Sequence, residues 1–144
     1  MFRNFNQDSI FIFNPNNKIN KHSIWTIYCT QEHQTNKKQC SLQKQGFFLI
    51  KTAEIDLAIN VSQSVERLWQ DEDQHIRIDN NQTFNTNSIF KDQSALDIVN
   101  QMKLGTIVNT RFSAPSGTHE ETIDLNGFSA AYDSMNLLYN NLGK

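Results

Sequence analysis

The residues of this 144-residue chain whose types could do chemistry are few: four histidines, two cysteines and a scatter of carboxylates. His119-Glu120-Glu121 is the most suggestive grouping. On a strand, alternate side chains share a face, so His119 and Glu121 point one way and Glu120 the other. A metal or hydrolytic centre built on that pair would need further groups from elsewhere, and His75 and Asp124 are the candidates. The four histidines form no HExxH or HxH pattern and no His/Cys cluster at ligand spacing. Ser116 lies in a Pro-Ser-Gly turn, and no G-x-S-x-G elbow appears. The five glycines are too scattered to cradle a phosphate. Asp71-Glu72-Asp73 lacks the spacing of a calcium loop and reads as a polar turn. The expectation is a non-catalytic protein without a cofactor. The alternative is a small hydrolase or metal-binding protein using His75, His119, Glu121 and Asp124.

Cys29 and Cys40 carry a different chemistry. Both lie in strand-like stretches: Ile24–Cys29 is rich in β-formers, and Cys40–Lys44 alternates apolar with polar residues. Between them Thr30–Gln39 holds no apolar residue. A hairpin would set the two sulfurs opposite each other, and a bridge there closes a short loop, worth about 3 kcal/mol in the chain-entropy model. The spacing fits neither a C-x-x-C redox dithiol nor a zinc knuckle. Two readings remain: a disulfide, with the oxidising compartment it implies, or two reduced buried thiols. The polar connection, with His33, Lys37 and Lys38, is the candidate partner-binding loop.

Composition narrows the class. Net charge is -2, pI is near 6.0, and mean hydropathy is -0.57 although only 19% of residues are charged. Amides explain the difference, with 18 Asn and 12 Gln making a polar surface of little charge. Residues 1–51 carry +5 and residues 52–144 carry -7. The balance argues against nucleic acid as a partner and leaves a protein partner, with the chain a monomer or weak homodimer. No stretch nears 18 apolar residues, so no transmembrane helix is expected. Residues 1–6 lack the apolar region and cleavage site of a signal peptide. On its face that predicts a cytoplasmic chain; export requires a leader already removed.

The elements that must position these groups are mostly strands. Residues 1–8 read as a loose segment, and 9–144 as one β-rich domain. Ser9–Phe13 is a short apolar strand ended by the turn Asn14–Asn17, and Phe47–Ile50 reads as a buried strand. Ala53, Ile55, Leu57, Ile59 and Val61 alternate with more polar positions, which predicts one continuous half-buried strand. Val65–Trp69 and Ile76–Ile78 read as a strand pair joined through Asp71–Asp73. Ala95, Ile98, Val99 and Met102 fill a helical template that Gly105 should stop, and a second helix should start at an Asn126 cap. Between them, Thr106–Phe112 and Thr118–Leu125 form a hairpin around Ala114–Gly117. The fold class is therefore mainly β: an antiparallel, sandwich-like sheet domain with two short helices in the C-terminal half.

The order of these segments carries a resemblance. Trp25-Thr26-Ile27-Tyr28-Cys29, a polar loop and Cys40-Ser41-Leu42-Gln43 resemble the opening W-x-x-x-C…C-x-L/M-x-Q segment of the invasion-associated locus B family. Ile123–Tyr132 looks like that family's closing L-x-G-F-t-a-A signature, after a helix ending Lys103-Leu104-Gly105 and a hairpin. The similarity spans about residues 22–138. Members commonly carry a second cysteine pair before the first helix; here Phe84–Phe90 occupies that place. The resemblance implies a bacterial periplasmic or secreted β-rich domain without known catalysis, associated with the cell surface, host interaction or virulence. It implies no catalytic residues.

Overall fold

A computed structural model describes residues 9–13, 24–32, 34–61, 73–114 and 117–142. The expectations for residues 1–8, the Asn14–Asn17 turn, the strand Val65–Trp69, and Pro115 and Ser116 lie outside the described residues. So does His33. In chain order the strands are β1 (Ser9–Phe13), β2 (Trp25–Gln31), β3 (Lys38–Lys44), β4 (Phe47–Thr52) and β5 (Ala58–Asn60). They are followed by β6 (Gln74–Ile78), β7 (Phe84–Thr86), β8 (Phe90–Lys91), helix α1 (Asp92–Leu104), β9 (Ile107–Ala114), β10 (Gly117–Asp124) and helix α2 (Phe128–Asn141).

The strands form two antiparallel sheets, in the orders β1-β2-β3-β4-β5-β8 and β10-β9-β6-β7. In the first sheet Ile27, Leu42, Leu49, Ile59 and Phe90 stand in one cross-strand row and all are buried. Ile78, Val108 and Ile123 do the same in the second. Both rows join one core with Ala95, Ile98, Val99 and Met102 of α1 and Phe128, Ala131 and Met135 of α2. Trp25, 1% exposed, meets Phe47 and Phe128 edge-on in its middle. The chain is thus mainly β with two helices in the C-terminal half, as the periodicity predicts. A smaller apolar cluster of Ile50, Ala58 and Ile89 lies on the other face of the first sheet.

Gln74 ties the sheets together. Fully buried on β6, it accepts from Val61 N at 2.9 Å through Oε1 and donates from Nε2 to the Ser88 carbonyl. Removing it would strand two buried backbone groups.

Two local expectations are corrected. The alternation over 53–61 yields a strand only at Ala58–Asn60. Upstream, Thr52 N donates to the Ile55 carbonyl and Ile55 N donates to Thr52 Oγ1, both at 2.8 Å, so a side-chain-locked turn wins over extension. Ile76–Ile78 does lie on a strand, β6, which pairs with β7 on one side and β9 on the other. Finally, α2 is capped by Gly127 at φ 87° rather than by Asn126, whose own N–H bonds Asp124 Oδ1 at 2.8 Å. That left-handed conformation favours glycine. Gly105 does end α1, but at φ -94°, where any residue fits. Space is its reason: a Cβ there would meet Ile78 Cγ2 at 2.5 Å.

Candidate functional site

The cysteine hairpin forms in the expected register. Cys29 faces Cys40 directly across β2 and β3, and the pair is a disulfide of 2.01 Å with both residues fully buried. The connection is shorter than the wet Thr30–Gln39 loop expected, because pairing continues to Gln31 and Lys38. Residues 32–37 close it with Glu32 N donating to the Lys37 carbonyl and Asn36 in the left-handed region at φ 59°.

The loop's two described cations are already occupied. Lys37 pairs with Glu54 at 3.6 Å. Lys38 is a strand residue on the same side of β3 as Cys40, and its ammonium lies 4.7 Å from the Tyr139 ring centroid on α2. Lys51 approaches the same ring at 5.2 Å while donating to Asn136 Oδ1 at 3.2 Å. Burial first, and then the Asp56 and Glu54 carboxylates, push the Tyr139 hydroxyl above its usual value, so the phenol stays neutral beneath these cations. Of the loop residues His33, Lys37 and Lys38, His33 lies outside the described residues, and Lys38 bridges the disulfide hairpin to α2.

The set His75, His119, Glu121 and Asp124 does not converge. β10 alternates, so His119, Glu121 and Ile123 face the core while Glu120, Thr122 and Asp124 face outward. On β6, His75 and Arg77 face outward between buried Gln74, Ile76 and Ile78. Alternation along β10 thus puts His119 and Glu121 on the face opposite Asp124, although Glu121 still borders the same outward cleft as His75. Each also has other work: His119 stacks on Phe112 with centroids 4.7 Å apart, and Glu121 accepts from Gly46 N at 2.9 Å. Asp124 accepts from Asn126 N, and His75 Nδ1 contacts Asn85 Oδ1. No group of three His, Cys, Asp or Glu among the described residues could hold a metal ion. The alternation that joined His119 to Glu121 in the sequence was sound, but the register with β9 and β6 decides which partners share their face.

That register assembles a different group. His75 stands opposite Arg111 and Arg111 opposite Glu120; one row on, Arg77 stands opposite Asn109 and Asn109 opposite Thr122. All six line an outward cleft of about 410 Å³. Thr122 Oγ1 donates to Asn109 Oδ1 at 2.8 Å, which fixes that amide with its NH₂ free to donate. Among the described residues neither guanidinium has an ion pair or hydrogen bond. The sequence analysis missed both arginines. Their one signal was position: Arg77 is the polar residue between Ile76 and Ile78, hence outward, but nothing local pairs it with Arg111.

One further cation is buried. Lys44, 6% exposed, donates to the Asp124 carbonyl at 2.8 Å and lies 5.4 Å from the Trp25 ring centroid. Burial lowers its pKa, and the Asp124 carboxylate partly opposes that. It binds the β3–β4 turn of the first sheet to the end of β10.

No helix of the described residues is long and apolar enough to cross a membrane. Comparison with protein-family models, with curated proteins and with solved structures finds no match to this chain.

Proposed function

We propose that this chain is a non-catalytic exported domain, periplasmic or secreted, that acts by binding another protein. The observation that carries the reading is the Cys29–Cys40 disulfide, in register and fully buried between the hairpin and α2. Such bridges persist in oxidising compartments and are rare in the cytosol. The resemblance to the invasion-associated locus B family points to the same compartment, and any role at a host surface rests on it alone. Binding rather than turnover is supported by where the titratable groups sit: those that could have formed a catalytic set are split between two sheet faces. The hairpin loop has its two described lysines engaged within the chain, whereas the outer face of β6, β9 and β10 presents two arginines, Arg77 and Arg111, with no ion pair among the described residues.

The test is thiol trapping in the native cell, by alkylation before lysis followed by intact-mass analysis. The expected result is no added mass until a reductant is supplied, then two alkyl groups per chain. Two alkyl groups without reductant would place the chain in a reducing compartment and remove the reading.

A further inference from the structure

We propose that the outer face of β6, β9 and β10 docks a short, extended acidic segment of a partner protein, with its carboxylates taken by Arg77 and Arg111. This rests on the reading of the chain as a protein-binding domain and names the surface and the chemistry of what it binds.

Arg77 and Arg111 are diagonal neighbours on antiparallel strands, since Arg77 faces Asn109 and Arg111 faces His75. Diagonal neighbours stand roughly 7–8 Å apart. Two like charges at that range, exposed and without an acceptor among the described residues, raise each other's energy, and a bound anion relieves it. A guanidinium takes a carboxylate through two parallel N–H bonds, so the pair is suited to two carboxylates rather than one. In an extended chain, side chains two residues apart share a face about 6.8 Å apart. That spacing matches the diagonal. An alternating acidic strand laid over the cleft would therefore present one carboxylate to each arginine, with the Asn109 NH₂ beside both.

The cleft also sets what it refuses. Glu121 also lines the cleft, its carboxylate accepting from Gly46 N, and Glu120 stands opposite Arg111 with no ion pair to it among the described residues. The charge of Glu120 opposes a continuous polyanion running on across β10, so the face favours a short acidic stretch over nucleic acid. The open groove, built from exposed arginine side chains, is likewise unlike the enclosed cradle that a free phosphate requires.

The experiment uses the whole, oxidised chain and a short fluorescein-labelled peptide alternating aspartate and threonine, read by fluorescence anisotropy at low ionic strength. Saturable binding is expected, weakened about tenfold or more in the Arg77→Gln/Arg111→Gln variant and abolished when asparagine replaces aspartate in the peptide. The arginine Nε–H resonances should move on titration, which a merely structural role would not produce. Unchanged affinity in the variant, with its urea midpoint intact, would overturn the proposal, as would no saturable binding at all. Equal competition by inorganic phosphate would instead make this a small-anion site, and equal binding of a single-stranded oligonucleotide would make it a polyanion surface; either result overturns it. Failure of the peptide with the disulfide intact in the cell leaves the exported-domain reading standing, whereas free thiols in the cell remove that reading and leave the peptide result untouched.

Discussion

The two sheets use positive charge in opposite ways. Around the disulfide sheet, Lys37 pairs with Glu54, Lys38 and Lys51 share the Tyr139 ring, and Lys44 is buried against Trp25 and the Asp124 carbonyl. Lys91 on β8 is the exception. On the second sheet Arg77 and Arg111 face solvent with no acceptor among the described residues. Cations of the first kind hold the hairpin to α2 and β10. Cations of the second kind pair with no acceptor among the described residues, and their side-by-side placement disfavours the folded state slightly. The difference teaches that a basic N-terminal third need not be the interaction surface. Its described lysines, Lys37, Lys38, Lys44 and Lys51, make internal contacts, while the acidic remainder of the chain carries the exposed pair.

This contrast can be broken or sharpened by substitution. The largest effect should come from the staple: Cys29→Ala/Cys40→Ala should lower unfolding free energy by about 3 kcal/mol in urea titration. An unchanged midpoint would mean that the disulfide sheet does not depend on its bridge. Next comes the link between the sheets. Gln74→Ala leaves Val61 N–H and the Ser88 carbonyl unpaired and should cost about 2 kcal/mol by the same titration.

Lys44 sharpens the comparison through pH. Its ammonium is disfavoured by burial, so the folded chain releases that proton at a lower pH than the unfolded chain, whose lysine ionises near 10.5. The charged lysine therefore lowers stability at neutral pH, and this effect shrinks as pH rises through the lowered value toward 10.5. Tyr139 acts oppositely, since its unfolded phenol ionises first, near 10.0, but it is common to both chains. The stability of the wild-type chain minus that of Lys44→Met should thus increase with pH over this alkaline range. A flat difference would contradict the burial account. The smallest effect belongs to the second sheet: Arg77→Gln/Arg111→Gln should shift stability by no more than about 0.5 kcal/mol, toward the stabilising side.

Much of this architecture is legible in the sequence because it is local. Cys29 and Cys40 could be set opposite each other because β-rich stretches flank a connection with no apolar residue, and hairpins pair their nearest neighbours. The stripes Ala95–Met102 and Phe128–Met135 sit on the two helices, and β9 pairs with β10, its neighbour along the chain. What escaped is what distant segments decide. The alternation of Ala53–Val61 reads as a strand, yet Thr52 turns the chain back on Ile55 before pairing can begin. The very short β7 and β8 exist only because β6 and β5 offer edges to them. The candidate site is the extreme case. Its parity on each strand could be read, but the register that places Arg77 beside Arg111 is fixed by the core rows Ile78–Val108–Ile123 and Ile76–Thr110, which no local pattern contains.

The most direct test of the contrast pairs two double variants, Lys37→Gln/Lys38→Gln and Arg77→Gln/Arg111→Gln, each measured for urea stability and for anisotropy of the alternating aspartate–threonine peptide. The account predicts a crossed outcome. The lysine variant loses about 1 kcal/mol of stability and keeps its peptide affinity. The arginine variant keeps its stability and loses about tenfold or more in affinity. If peptide affinity instead falls with the lysines and survives without the arginines, the hairpin loop is the binding surface and the division between the two sheets is wrong.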